Sequence, residues 1–150
     1  MIDIENIIID TVYQALTTAY GSTYPGLRVY STPIETPESF PCVTVEMTDN
    51  YTWRESQEFG KLRENHAAIA ITVNVYTNNA NGKKALLKQI FNTVDETLQD
   101  MKLTRIAATP IDNIDRTICR MVGRYTGLVG EGITTTENGE ETTVFPMFRR

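Results

Sequence analysis

The sequence predicts an α+β domain, in which a four- or five-stranded antiparallel or mixed sheet carries two main helices on one face. Two segments place apolar residues at helical spacing, and several others alternate apolar with polar residues. The chain of 150 residues has the size of one domain with a substantial core, and its 41% hydrophobic and 22% charged residues are ordinary for a globular protein. We therefore expect residues 1–150 to form one domain with the order α-β-β-β-α-β-β and a C-terminal β-hairpin.

The first predicted element is a helix over about residues 3–20. Its apolar residues recur at helical spacing, at Ile4, Ile8, Val12, Leu16 and Ala19. Gly21 is expected to end this helix and to supply a left-handed cap. A short strand is predicted over residues 27–30, and a stiff connection that contains three prolines follows it.

Two strands are predicted over residues 42–48 and 67–77, and the second has an unbroken apolar face of Ile69, Ile71, Val73 and Val75. Between them, residues 49–66 are polar but include the aromatic residues Tyr51, Trp53 and Phe59. Aromatic residues in a long polar loop are often buried only when a partner binds. The alternative is a hairpin whose aromatic rings pack on the domain's own sheet, and the sequence leaves both open.

The second predicted helix covers about residues 82–100 and begins with a Gly-Lys pair that imitates a phosphate-binding loop. That motif needs a glycine five residues before Gly82 and a Ser or Thr after the lysine, but the chain has Thr77 and Lys84 at these positions. We therefore expect no nucleotide site. Two lysines in the first turn of a helix are unfavourable against the helix dipole. We therefore expect Lys83 and Lys84 to serve contacts with another molecule. The predicted buried stripe of this helix consists of Ala85, Ile90, Val94, Thr97 and Leu98, with Leu86, Leu87 and Phe91 nearby.

The next predicted strand is short and ends at Pro110, and a turn leads from it into a long strand over residues 118–129. Arg120 and Arg124 alternate with aliphatic residues on one face of the long strand, whereas Tyr125 points to the other. Such a face is either covered by a helix of the same chain or meets an acidic patch of a neighbouring subunit. The sequence leaves this choice open.

A hairpin is predicted over residues 130–147, with Asn138 and Gly139 at its tip. Its arms are rich in threonine and contain no large hydrophobic residue between Ile133 and Val144. We expect it to be extended and to have little core of its own.

The net charge of −5 is unevenly distributed: residues 1–60 carry −7, residues 61–130 carry +4 and the last twenty carry −2. This polarity suits contacts between copies of the chain better than nucleic-acid binding, although simple solvation of the surface explains it equally well. No apolar run is long enough to span a membrane, and the N-terminus lacks the pattern of a signal peptide. Cys42 and Cys119 are expected to be buried free thiols in a reducing compartment.

No pattern in the sequence requires catalysis. The single histidine, His66, has no companion for a metal site, and no serine lies in a nucleophile elbow. Acidic pairs such as Glu46 with Glu58 or Glu64 are best explained as surface carboxylates. We expect neither an enzyme nor a cofactor.

Four stretches occur in a characteristic order: "SFPCVTVEM", "AAIAITVNVYTN", "GKKALLKQIFNTVDETLQDM" and "PIDNIDRTICRMVGRYTGLV". The last contains a spaced polar pattern, formed by Asn113, Asp115, Thr117, Arg120, Arg124 and Tyr125. Over roughly residues 2–130, the chain resembles the tail terminator proteins of long-tailed bacteriophages, also called tail completion or tail-to-head joining proteins.

This resemblance implies a virion structural protein of the tail or neck, assembled in the bacterial host cytoplasm. Its subunits would form a hexameric ring on the last ring of tail-tube protein, stop tube growth and present a surface to the head connector or head completion protein. DNA would pass through the lumen without sequence-specific binding, and no membrane would take part.

A closed ring needs two different patches that meet, for which acidic residues 1–60 and basic residues 61–130 are candidates. The candidate interface residues are Arg120, Arg124, Tyr125, Trp53, Phe59, Lys83 and Lys84. The alternatives are a stand-alone, non-catalytic protein-binding domain and a small carboxylate-dependent enzyme.

Overall fold

The computed structural model describes residues 2–34, 37–52, 66–78, 83–111, 117–130 and 132–148. It contains two helices, α1 (Glu5–Tyr20) and α2 (Lys83–Asp100). Its strands are β1 (Arg28–Tyr30), β2 (Cys42–Thr52), β3 (His66–Asn78), β4 (Thr104–Ile111), β5 (Ile118–Gly130), β6 (Ile133–Glu137), β7 (Glu140–Val144) and β8 (Met147–Phe148). The predicted order of elements is confirmed.

The main sheet has the strand order β1-β2-β3-β5-β4 and is mixed, because β1 runs parallel to β2 while the other pairs are antiparallel. The short strand β8 also pairs with β5, at Leu128 and Val129, beyond the region that β4 occupies. Strands β6 and β7 form a separate two-stranded sheet. The predicted α+β class is confirmed.

The core lies between the sheet and the two helices, which pack on the same face. Its members from the helices are Ile8, Val12 and Leu16 of α1 and Leu86, Leu87, Ile90, Phe91, Val94 and Leu98 of α2. They meet the predicted apolar face of β3, where Ile69, Ile71, Val73 and Val75 are at most 1% exposed. Each such aliphatic side chain contributes about 1.5–3 kcal/mol by its burial. The prediction of Ala85 as a buried residue was wrong, because its side chain lies on the exposed side of α2.

Gly21 does not supply the predicted left-handed cap. Its φ of −59° and ψ of −37° are right-handed, and its N–H donates to the carbonyl of Thr17. The chain continues in a helical turn, since the N–H of Tyr24 donates to the carbonyl of Tyr20 at 2.8 Å. The conformational freedom of glycine is therefore not used at this helix end.

Strand β4 continues through Pro110 to Ile111, one residue past the predicted end, with Pro110 opposite Met121 of β5. Proline is tolerated because β4 is the last strand on this side of the sheet and needs ladder hydrogen bonds on one side only. The register also shifts between Arg105 and Ala107, where Ile106 is left without a partner.

Strands β2 and β3 are longer than predicted and pair as far as Thr52 and Ala67. Part of the predicted loop over residues 49–66 is therefore strand. Residues 53–65, which include Trp53 and Phe59, lie outside the described residues. Cys42 is buried and Cys119 partly buried, and both thiols are free, as expected.

Candidate functional site

The long strand β5 has the two faces that its alternation predicts. One face packs against the core through Tyr125 and Val129. The opposite surface of the sheet, which we call the outer face, contains alternate residues of the paired strands: Thr72, Asn74 and Tyr76 of β3 with Arg120, Val122, Arg124 and Thr126 of β5. Neither α1 nor α2 covers the outer face, because both pack on the core side.

Arg120 is held by contacts within its own chain. Its Nε and Nη2 donate to Oδ1 of Asn74 at 3.0 and 2.8 Å, and its guanidinium lies over the ring of Tyr76, 5.5 Å from the centroid. Asn74 is only 7% exposed, so this paired hydrogen bond is largely removed from water. A partner could therefore use Arg120 only by displacing these contacts.

Beside Arg120, a small apolar cluster of Cys42, Tyr76 and Ile118 closes one end of the outer face, where the connection after β1 packs through Ile34 and Phe40. The Tyr76 hydroxyl donates to the carbonyl of Ile34 at 3.0 Å. Burial raises the pKa of Tyr76; the guanidinium of Arg120 lowers it, and Cys42 raises it further. Burial also raises the pKa of the Cys42 thiol to about 11, so this thiol is protonated near neutral pH and is no nucleophile.

Arg124 is exposed and lies near the middle of the outer face. Its neighbours across the sheet are Thr72 on β3 and Ala107 on β4. Within the described residues it makes no hydrogen bond or ion pair. Arg124 is thus the one of the two predicted arginines whose charge is available to another molecule.

Tyr125 does not fit the predicted interface role, because its side chain is 0% exposed. Its hydroxyl donates to Oδ1 of Asp95 at 2.6 Å, and burial, followed by this hydrogen bond, raises the pKa of Tyr125. Oδ2 of Asp95 accepts from Gln99 at 2.7 Å and lies 3.2 Å from Nη1 of Arg105. These contacts join α2 to β4 and β5 inside the molecule.

Asp95, for which the sequence predicted no role, is 8% exposed and lies on the inward side of α2. The available signal was its position four residues after Phe91 and next to Val94, on the predicted buried stripe. A carboxylate at such a position needs polar partners, and Tyr125, Gln99 and Arg105 provide them.

The remaining candidates do not form one surface. Lys84 is exposed near the start of α2, and α2 packs on the core side of the sheet, away from Arg124. Lys83 is the first residue of α2, and its side chain lies outside the described part. Trp53 and Phe59 belong to the undescribed 53–65 segment. The structure therefore separates Lys84 from the outer face.

The hairpin of residues 133–144, which we call the arm, is the most exposed of the described helices and strands. All ten residues of β6 and β7 are exposed, and the apolar pair Ile133 and Val144 face each other at 59% and 58% exposure. The predicted turn is confirmed, with φ values of 52° at Asn138 and 80° at Gly139. Strands of five residues give the arm a length of about 17 Å.

The root of the arm is fixed to the domain. The N–H of Gly130 donates to the carbonyl of Pro146 at 2.7 Å, Met147 pairs with Val129, and Phe145 packs against the core. Since both ends of the arm are held, it leaves the domain from a defined place.

The tip of the arm is acidic. Glu137 lies directly opposite Glu140, and Glu141 follows on the same strand. Like charges in directly opposed positions destabilise a hairpin, by an amount comparable to the roughly 0.2–1 kcal/mol gained from a favourable pair. A cation at this tip would relieve the repulsion.

Over the described ranges, no group of three His, Cys, Asp or Glu residues is placed to hold a metal ion. In the same part of the chain, no helix is both long and apolar enough to cross a membrane.

No family model and no curated protein matches this chain. It is similar to a chain from the virion of a native gene transfer agent particle, with a TM-score of 0.47 and 18% identity over 77% of this chain and 90% of that one. It is also similar to the bacteriophage SPP1 gp17 protein, with a TM-score of 0.40 and 13% identity over 91% of this chain and 93% of that one. These neighbours are thus virion or bacteriophage proteins. Neither TM-score reaches 0.5, and no function follows from them.

Proposed function

We propose that this chain is a non-enzymatic virion protein that caps the head-proximal end of a bacteriophage tail tube as a ring. In that position it ends tail polymerisation and forms part of the head–tail joint. The proposal begins from the sequence resemblance to tail terminator proteins.

The observation that carries the proposal is that one chain exposes two unlike surfaces. The outer face is a sheet surface with an exposed cation, Arg124, and the arm is an exposed two-stranded ribbon with three carboxylates at its tip. Contact between unlike surfaces is heterologous, and it produces a closed ring when the rotation between neighbours closes. A symmetric dimer would instead use one surface twice.

The partners of such a ring are further copies of the chain (a hexamer), the tail-tube protein on one side and the head connector or head completion protein on the other. DNA passes through the lumen without sequence-specific contacts. The place of action is the tail or neck of the virion, after assembly in the host cytoplasm.

The test combines light scattering with electron microscopy. Purified protein is concentrated stepwise while its mass is measured, and is then mixed with tail tubes purified from the phage that encodes it. We expect rings at high concentration or on tubes, with one ring at one end of each tube and no further elongation when tube protein is added.

The proposal would be contradicted if the protein stays monomeric at every concentration and if the tubes mixed with it remain uncapped and continue to grow. In that case the stand-alone protein-binding domain becomes the better explanation. Bovine serum albumin at equal mass serves as the control for non-specific coating of tubes.

A further inference from the structure

We propose that the arm of one copy lies on the outer face of the next copy, with the carboxylates of Glu137 and Glu140, which share one face of the arm with Ile133 and Val144, beside the guanidinium of Arg124. This inference rests on the proposed ring and names the contact that builds it.

The arm by itself is incompletely stabilised. A two-stranded hairpin is marginal in water, and here no strand residue of the arm is buried. Ile133 and Val144 expose more than half of their surface, and Glu137 faces Glu140. A partner that covers the apolar pair and supplies a positive charge would correct both defects.

The outer face has the shape that such a ribbon needs. It is a sheet surface that neither helix covers, and small or β-branched residues surround its exposed arginine: Thr72, Ala107, Val122 and Thr126. Sheets stack face to face at about 10 Å when side chains of this kind lie between them. A two-stranded ribbon can therefore stack on this surface as a second sheet layer.

The carboxylates of the arm and the arginines of the outer face have opposite charges, and Arg124 is the arginine that is able to pair with the arm. Arg120 is already bound to Asn74 and Tyr76, whereas Arg124 has no polar contact among the described residues. A guanidinium presents several N–H donors in a planar fork and binds carboxylates in a bidentate manner. The lysines on the exposed side of α2 offer single point charges on a convex surface.

The occupant is a second copy and not the arm's own domain. In the single chain the arm forms a separate sheet, and every strand residue in it is exposed. Its root lies at Gly130, six residues along β5 from Arg124, or about 20 Å. Because its strand residues are exposed, the arm is available to a neighbour.

The first experiment is a charge exchange. Arg124→Glu alone, and Glu137→Lys with Glu140→Lys, should each raise the concentration at which half of the protein is assembled by at least about tenfold. The combined variant should recover at least most of that loss, because the charges are again opposite. Lys88→Glu is the matched control: it is the same kind of charge change at an exposed residue of α2, and it should leave assembly unchanged.

The second experiment is a cross-link. Arg124→Cys and Glu140→Cys are combined in one chain with Cys119→Ser, and Cys42 remains because it is buried. Oxidation after assembly should give covalent species larger than a dimer on a non-reducing gel. Each copy would be linked at position 124 to one neighbour and at position 140 to the other. Circular dichroism of every variant checks that the fold is intact.

Three results would overturn the inference while leaving the ring in place: assembly of the arm variant at the wild-type concentration, failure of the combined variant to recover, or an assembled sample without cross-links. If the wild type itself neither assembles nor caps tail tubes, the proposed function fails and the inference fails with it.

Discussion

At the scale of single residues, two arginines on one strand face have different surroundings and should behave differently. Arg120 donates twice to Asn74 and covers Tyr76, whereas Arg124 is exposed. Arg120→Glu should lower the free energy of unfolding by about 1–3 kcal/mol, because a buried acceptor loses its donor. Arg124→Glu should change it by less than about 0.5 kcal/mol. Urea denaturation of the two variants as monomers measures these changes. Equal losses of the free energy of unfolding would contradict the different surroundings assigned to the two arginines.

The thiol of Cys42 should make stability depend on alkaline pH. Burial raises its pKa from an ordinary value of 9.0 to about 11, so between these values the unfolded chain loses a proton that the folded chain keeps. Stability attributable to this group is complete below pH 9 and falls as pH rises, by at most about 1.4 kcal/mol per pH unit.

The measurement compares wild type with Cys42→Ala under reducing conditions, by urea denaturation from pH 8 to pH 11. The wild type should lose more free energy of unfolding over this range than the variant. The burial of Tyr125, whose pKa is also raised, affects both proteins and cancels in the comparison. Parallel curves would show that Cys42 titrates alike in the folded and unfolded states.

At the scale of elements, the packing of α2 on β5 depends on glycine at Gly123. A Cβ there would lie 2.7 Å from Cζ of Phe91, within a rigid ring that is itself 2% exposed. At Gly127 the corresponding contact is 2.6 Å to Cδ2 of Leu103, the end of a more flexible side chain. Gly123→Ala should therefore cost about 1–3 kcal/mol of stability, and Gly127→Ala should cost less. The midpoints and slopes of urea denaturation give both values, and the reverse order would contradict this account.

Elements with a local cause were predictable from the sequence, and those set by distant partners were not. The Asn-Gly turn of the arm depends on two adjacent residues, and alternation along β5 gave its two faces correctly. Which face the helices cover depends on the path of the whole chain, so the burial of Tyr125 was missed. The partners of Arg120 were also missed, because Asn74 is 46 residues away and reaches it only through strand register.

At the scale of the whole molecule, opposite charges on separate surfaces should make assembly sensitive to salt. Between about 0.1 and 1 M NaCl the screening length falls from about 10 to about 3 Å. The half-assembly concentration of the wild type should rise over this range if carboxylates and arginine carry the contact. Light scattering at fixed temperature measures it, with sodium sulfate excluded because it also strengthens apolar contacts. A concentration that stays constant or falls would assign the contact to apolar residues such as Ile133 and Val144.

Among the described strands, β4 is the last on its side of the sheet, and its edge affects whether copies of the chain can add to one another strand by strand. A long and regular unpaired strand is a template on which another strand adds, and such addition repeats without limit into fibres. β4 breaks its register after Arg105 and lacks an N–H at Pro110, so its row of hydrogen-bonding groups is incomplete. Under the proposed function, a subunit that ends one polymer must not begin another. In this fold, the interrupted edge of β4 disfavours the addition of a further strand, and with it growth into an endless sheet.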